Sequence, residues 1–370
     1  MKHLIPLLLA LLAPMLPVGA QRMVWTSPLQ GDIPCIEGRA WNIETGKNFQ
    51  RLPARFETTL PANVWELSKQ GAGLSVSFVT TARNISVRYG LSLHSDGYRN
   101  MAPLNHSGLD LYGKTADGKC HWIGNHMRWS WRPDTVCMEW HDLTPPEAGA
   151  DGTEYILYLP GYNALKFLEI GVDEGAAFRF KAPSEEPPVV VYGSSIIQGA
   201  SPSRPGLMIT NIVARELQCP VVNLGFSGSA LMEPAVFDML AEIEARAFVI
   251  DPIPNSYSLD EEEIVKRATE GIRRLRSRSE APILMVECHP MSDSIFQANL
   301  TARYARSNAA FRRAFEQLRA EGVKHLHYLP NTDIHFSEED MIEGTHPNDL
   351  GCRAYAEAYK RSIRRIASLP

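Results

Sequence analysis

The stretch Ala182-Pro183-Ser184-Glu185-Glu186-Pro187-Pro188 separates two kinds of hydrophobic periodicity, and that change limits the fold more than any other feature of the chain. Proline fixes φ and offers no N–H, so three prolines and two acids here make a stiff polar linker over residues 182–188. Before it the period is two: Leu74, Val76 and Phe78 alternate with Ser75 and Ser77, and Ile85, Val87 and Tyr89 alternate with Ser86 and Arg88. Further β-rich runs occur at 154–159 and 165–172, with Gly, Pro and Asp turns between and no convincing long helix. Residues 21–181 therefore read as an all-β sandwich of jelly-roll type. After the linker, strands at 189–192, 220–224, 247–251, 282–287 and 325–329 alternate with helices near 207–217 and 234–245 and at 299–320. One further helix opens at Ser258-Leu259-Asp260-Glu261 as a capping box, and the last begins near Asp349, with Tyr355, Tyr359, Ile363 and Ile366 on one face. Residues 189–370 are thus predicted to be an α/β unit, a five-stranded parallel sheet with helices on both faces.

The 370 residues, 44% hydrophobic and 21% charged, suffice for two cores and exclude a disordered or fibrous chain. A net charge of −5 without a basic, aromatic-interleaved stretch argues against nucleic acid. Lys2, the apolar run from Leu4 to Leu16 and the small residues Val18-Gly19-Ala20 read as a signal peptide over 1–20. The expectation is an exported protein, periplasmic or secreted, with no integral membrane segment. Six cysteines without a CxxC spacing give no zinc ribbon; Cys120 and Cys137 either close a loop or stay free. His325 and His327 share a strand face, but a third ligand at a suitable spacing is missing, so no metal and no other cofactor is expected.

In an open parallel sheet the functional crevice lies at the carboxyl ends of the strands. The five strands are followed there by Gly193-Ser194-Ser195, by Gly225-Phe226-Ser227-Gly228, by Pro254-Asn255, by His289 and, beyond a loop, by Glu343-Gly344-Thr345-His346. These residue types match the needs of acyl transfer. A serine hydroxyl attacks once an imidazole takes its proton, an acid fixes the tautomer, and preorganised N–H groups hold the oxyanion. Ser195, His346 and Glu343 are the candidate catalytic residues; the backbone N–H groups of Ser195 and Gly228 and the Asn255 amide are the candidate oxyanion donors. Gly193-Ser194-Ser195-Ile196-Ile197 lacks the second glycine of a GxSxG elbow, which weakens an α/β-hydrolase reading.

The rim resembles the SGNH (GDSL-like) hydrolases over about residues 188 to 370. Gly193-Ser194-Ser195-Ile196 is similar to their Ser block, with Ser194 where Asp is usual, and Asn223-Leu224-Gly225-Phe226-Ser227-Gly228 to their Gly block. Asp251-Pro252-Ile253-Pro254-Asn255 stands at the Asn block and Gly344-Thr345-His346-Pro347-Asn348-Asp349 resembles the His block. Glu343 stands where the family usually has Asp three residues before the histidine. Glu37-Gly38-Arg39, Arg51-Leu52-Pro53, the run Gly108 to Tyr112 and the run Tyr158 to Asn163 resemble the sandwich that precedes such domains in exported two-domain bacterial esterases. The resemblance implies a flavodoxin-like SGNH sheet and a serine esterase, without cofactor, that removes acetyl or other short acyl groups from carbohydrates or other small esters.

Each residue also has a plainer reading. Glu343 supports His346 or is merely solvated, a backbone carbonyl then orienting the imidazole; Asn255 is a donor or an Asx-turn residue; and Asp349 caps the last helix. Arg204 and His289 are possible substrate contacts, or respectively a helix-end ligand and a hydrogen-bonded structural histidine. The tryptophans, all before the linker, are sandwich core or, where exposed, a stacking surface for a sugar. Two rival functions remain: a lipid-directed esterase or lysophospholipase, and a carbohydrate-binding protein without turnover.

Overall fold

The structure, a computed structural model, describes residues 22–32, 34–95, 97–124, 134–145, 151–290, 296 and 298–369. The expected signal peptide, Trp129 and Trp131 lie outside the described residues. Among the described residues, the alternating runs of the N-terminal half form nine strands: β1 (Met23–Thr26), β2 (Ser75–Thr80), β3 (Ile85–Leu91), β4 (Asp110–Lys114), β5 (Cys120–Ile123), β6 (Val136–Trp140), β7 (Thr153–Tyr158), β8 (Leu165–Asp173) and β9 (Phe178–Phe180). They make two antiparallel sheets, ordered β1-β8-β3-β6 and β5-β4-β7-β2-β9. Val76 and Phe78 of β2 and Leu157 of β7 meet Val87 and Tyr89 of β3 and Met138 and Trp140 of β6 in one core, the period-two pattern turned inward from both sheets. Cys120 and Cys137 fall in opposite sheets, and no disulfide joins any of the six cysteines. The helices here are short: α1 (Asn42–Thr45), α2 (Ala62–Ser68) and α3 (Pro103–Ser107).

The C-terminal half comprises β10 (Val189–Gly193), α4 (Ser195–Gln198), α5 (Ile209–Leu217), β11 (Val221–Gly225), α6 (Pro234–Leu240), β12 (Ala247–Asp251), α7 (Ile253–Ser256), α8 (Glu261–Arg276), β13 (Ile283–Val286), α9 (Ala298–Ala320), β14 (Leu326–Leu329) and α10 (Asp349–Ala367). Its strands are parallel in the order β11-β10-β12-β13-β14. That order reverses direction between β10 and β12, which is where such sheets open a crevice. Successive side chains of β10 sort to opposite faces: Val190 and Tyr192 pack with α6, α8 and α9, whereas Val189 and Val191 pack with α5 and α10. A strand buried on both sides needs the continuous apolar run that the sequence supplies.

Two helix starts differ from the sequence reading. Asp260, not Ser258, caps α8, its carboxylate accepting the Glu263 N–H at 2.8 Å. Asn348, not Asp349, caps α10, taking the N–H groups of Leu350 and Gly351, while Asp349 accepts the N–H of Ser203. In each case the residue in extended conformation just before the first helical residue wins, because only there does a side-chain oxygen face the open N–H groups. Among the described residues, no helix is long and apolar enough to cross a membrane.

The two halves are continuous in packing even though the linker divides them in sequence. Leu52, Phe56, Leu60, Val64 and Trp65, all N-terminal to the linker, are buried in the same cluster as Tyr192, Leu224 and Phe237 of the parallel-sheet unit. Each large apolar side chain so buried contributes about 2 kcal/mol, so the five together rival the net stability of a domain. Polar clamps add direction. The Arg51 guanidinium, 1% exposed, donates to the carbonyls of Asn223 at 3.1 Å and Gly225 at 2.8 Å, both in β11, and of Leu67 at 2.7 Å. Its charge lies 4.9 Å from the centre of the Phe226 ring, and burial pulls its pKa down, Tyr162 acting weakly the other way. Asp110 accepts from Arg204 Nη1 at 2.6 Å, from the Gly206 N–H at 2.9 Å and from the Trp122 indole at 2.6 Å. Arg204 lies over the Trp122 ring at 4.3 Å.

Two outcomes follow from this packing. Arg51→Ala strips three carbonyls of a charged donor and leaves a void, so urea unfolding should register a loss of about 3 kcal/mol; a loss under about 1 kcal/mol would remove the clamp from the seam. Asp251, fully buried at the end of β12, accepts the Tyr359 hydroxyl at 2.6 Å; burial pushes its carboxyl up to about 7, against a weaker opposing pull from that hydrogen bond. The native state then keeps a proton that the unfolded chain has released, so this contribution is complete below about pH 4 and is lost as pH rises through 7. The thermal midpoint should fall by several degrees from pH 5 to pH 8, and Asp251→Asn should flatten that fall; an unchanged slope in the variant would assign the titration to another group.

Candidate active site

Ser195 is the first residue of α4, immediately beyond the carboxyl end of β10. Ser194, in extended conformation, caps the turn by accepting the Ile196 N–H at 3.3 Å. As the first N–H of a helix, that of Ser195 has no carbonyl one turn back to bind. The turn fits only because β11 ends in Gly225: a Cβ there would stand 2.1 Å from the Gln198 nitrogen. Gln198 in turn accepts the Ser227 N–H at 2.9 Å and donates to Gln70 at 2.6 Å, which joins α4 to the loop carrying Gly228. Gly228 has φ +68°, a left-handed conformation that side chains disfavour, and open space where a Cβ would be. One residue further along, the Ser229 N–H closes on the Phe226 carbonyl at 3.0 Å. The Ala230 N–H donates to Asn255 Oδ1 at 3.2 Å, which holds the carbonyl end of that amide and turns its NH2 end the other way.

His346 enters from the loop before α10. The Ile342 N–H bonds the His346 carbonyl at 3.0 Å, and Met341 pairs with Pro347, making a tight reversal. Within it Glu343 Oε1 accepts both the His346 backbone N–H at 2.8 Å and ring Nδ1 at 2.7 Å, and Oε2 lies 3.2 Å from the same nitrogen. The other ring nitrogen, Nε2, stands 2.7 Å from Ser195 Oγ. With Glu343 taking the Nδ1 proton, Nε2 is left as the acceptor for the serine hydroxyl. Burial raises the Glu343 pKa, but the His346 hydrogen bond and charge and the N–H groups of His346 and Thr345 together outweigh it, and the carboxyl lies below its ordinary value. The added methylene of Glu343 therefore does not prevent contact with the imidazole. Such a relay can deprotonate a hydroxyl as it attacks a carbonyl.

Ser195, His346 and Glu343 are thus brought into one chain of contacts, and Gly228 and Asn255 are stitched together on the same rim. Arg204 and His289 are both engaged by other groups of the protein. Arg204 is held by Asp110 and by the Tyr112 hydroxyl at 2.6 Å, serving the seam between the halves. His289 is 1% exposed and has both ring nitrogens engaged: Nδ1 with the Tyr355 hydroxyl at 2.7 Å and Nε2 with the Thr345 carbonyl at 3.0 Å. Burial pushes its pKa down to about 4, so the neutral ring donates from Nε2 and tethers the residue next to His346.

Three residues from the N-terminal half escaped the sequence reading. Tyr162 donates its hydroxyl to the Ser195 carbonyl at 3.2 Å, and Asn105 donates to the Gly199 carbonyl at 2.8 Å at the end of α4. The Asn100 amide lies 3.2 Å from His346 Nδ1. Tyr162 lies within one of the N-terminal motifs, but no periodicity marks which distant carbonyl a tyrosine will meet. Trp140 is core, whereas Trp122 is partly exposed and engaged with Asp110 and Arg204.

Residues 186–364 match the model of the GDSL-like lipase/acylhydrolase family, and residues 23–178 match the GxDLY model, an N-terminal unit of SGNH-hydrolase-type esterases. A candidate GDSL-like lipase from Bacteroides ovatus ATCC 8483 has a crystal structure similar to this chain. The identity is 31% and the TM-score 0.83, over 94% of this chain and 99% of the other. The salicylyl-acyltransferase SsfX3 of a tetracycline biosynthetic pathway shares the fold at 19% identity, with a TM-score of 0.72 over 95% of this chain and 99% of its own. Among curated proteins, none matches this chain. With the two-part architecture matched from end to end at that identity, the chain belongs to the GDSL-like lipase/acylhydrolase (SGNH hydrolase) family.

Proposed function

We propose that this protein is a serine esterase that hydrolyses acetyl or other short-chain acyl esters of carbohydrates through an acyl-enzyme on Ser195. The observation that carries the reading is the continuous relay from Glu343 Oε1 through His346 to Ser195 Oγ, with 2.7 Å at each step. Ser195 Oγ attacks the ester carbonyl as His346 Nε2 takes its proton, and Glu343 stabilises the imidazolium that results. The Ser195 and Gly228 N–H groups and the Asn255 NH2 hold the oxyanion. Collapse of the tetrahedral intermediate returns the proton to the leaving alcohol. Water then attacks the acyl-enzyme with His346 again as base, and return of that proton to Ser195 Oγ frees the acid.

A sugar as the alcohol part is supported by exposed aromatic rings close in sequence to residues of the site. Tyr98, 62% exposed, lies two residues from Asn100, and Tyr257, 44% exposed, two residues from Asn255. Flat, partly wet rings of this kind suit the apolar face of a pyranose. The signal peptide expected over residues 1–20 favours a substrate met in the periplasm or outside the cell.

Acetate release from acetylated sugars and from a chromogenic acetyl ester should be measurable for the parent and lost by about a thousandfold or more in Ser195→Ala. A preference for long acyl chains would shift the reading to a lipid-directed esterase, and a folded parent inert on every ester would leave glycan binding without turnover. Glu343→Gln keeps the shape and removes the charge; kcat should fall by about a hundredfold with KM little changed. A variant as fast as the parent would hand the orienting role to another group.

A further inference from the structure

The imidazole of His346 is approached from two sides, and only one of them belongs to the parallel-sheet unit. We infer that Asn100, supplied by the N-terminal sandwich, is a positioning residue that holds His346 Nδ1 together with Glu343; this rests on the esterase reading above.

The geometry that points to it is local and built. The Asn100 amide nitrogen, Nδ2, lies 3.2 Å from Nδ1, and Glu343 Oε1 lies 2.7 Å from the same ring nitrogen. Glu343 alone is a loose support, since 37% of its side chain is exposed and water competes for its oxygens. Because Glu343 takes the Nδ1 proton, Asn100 meets the same N–H productively only with its Oδ1, its amide turned end for end; the two ends are interchangeable in shape. A second acceptor dipole at Nδ1–H then favours the imidazolium that forms as Ser195 attacks, and keeps the ring from swinging toward solvent.

The segment carrying Asn100 is anchored at both ends. At its start Asn163 accepts the Leu93 N–H at 3.1 Å and donates to the Leu93 carbonyl at 2.8 Å. At its end α3 fixes Asn105 to the Gly199 carbonyl. Between them the Met101 N–H closes a turn on the Tyr98 carbonyl at 3.0 Å. The Tyr98 ring packs edge-on against His106 and Tyr162, with centroids 6.1 and 6.4 Å away. Tyr162 is the residue whose hydroxyl reaches the Ser195 carbonyl. The sandwich therefore touches the nucleophile's backbone and the histidine's outer nitrogen through one connected set of side chains. Glu343 on its own loop and His289 beyond Thr345 are titratable neighbours of His346.

The test uses the full exported chain and two substitutions, Asn100→Leu and Asn100→Asp, with two readouts. One is kcat and KM against pH on a chromogenic acetyl ester; the other, needing no substrate, is the downfield Nδ1–H resonance of His346, assigned by its loss in His346→Gln. Asn100→Leu should lower kcat about tenfold with KM within about twofold, and Asn100→Asp should raise the midpoint of the acid limb by about one pH unit. Both variants should move the resonance. Ser195-dependent turnover with the acid limb and the resonance unmoved in Asn100→Asp would overturn the inference, even if Asn100→Leu were slow through misfolding. A parent without turnover whose resonance still moves in both variants would leave the positioning role standing and remove the esterase reading instead.

Discussion

The guanidinium of Arg51 is a buried charge at the seam of the molecule that is answered by carbonyls, not by an acid. Its hydrogen bonds run to Asn223 and Gly225 in β11 and to Leu67 just behind them, so one side chain from the sandwich half grips the strand that leads into the Gly228 loop. Burying a cation costs free energy unless its donors are used, and the cation is therefore held only where the carbonyl geometry is right. That requirement orients the two halves. It also explains why the apolar residues from Leu52 to Trp65 sit on the parallel sheet's own core: the segment that presents Arg51 is packed there like one of the covering helices.

From this clamp the geometry of the site follows in short steps. β11 ends at a glycine, so α4 can lie against it; α4 begins with Ser195, and its Gln198 ties down the loop with Gly228, whose neighbour Ala230 fixes the Asn255 amide. On the other side, α10 carries Tyr355 and Tyr359 one turn apart. One engages His289, which tethers the Thr345 carbonyl, and the other meets Asp251 at the end of β12. The residues beside the relay are thus buried, neutral at the imidazole of His289, and rigidly bonded, which is the support that a preorganised site needs.

The sequence made much of this legible, for reasons that differ by residue. The alternation around Leu74 to Phe78 and the apolar runs of β10 to β14 reveal their elements because burial on one face or two imposes a period. Ser195, Gly228, Asn255 and His346 could be assigned to one rim because each lies in the connection that follows a strand of a fold whose crevice has a known place, and Glu343 because it is near His346 in sequence. Arg204 and His289 were readable as polar residues near the rim with a structural role beside a binding one, but their partners were not, since Asp110 and Tyr355 are distant in the chain. The caps of α8 and α10 slipped because several acceptors stand side by side and only backbone conformation chooses among them. Asn100, Tyr162 and Arg51 had no period or spacing to announce a partner: their partners are carbonyls or an imidazole contributed by the other half.

That last group changes how the two-part architecture should be understood. Were the sandwich an independent module, its contacts with the parallel-sheet unit would be general, and the nucleophile would be complete without it. Instead Tyr162 holds the carbonyl of Ser195, Asn105 the carbonyl at the end of α4, and Asn100 reaches the imidazole, all through side chains of one half acting on atoms of the other. A four-residue helix such as α4 has little stability of its own and takes its position from what packs around it. The sandwich therefore acts as part of the framework that fixes the serine and the histidine at 2.7 Å, and separating the halves would disrupt both that contact and the apolar core that the halves share.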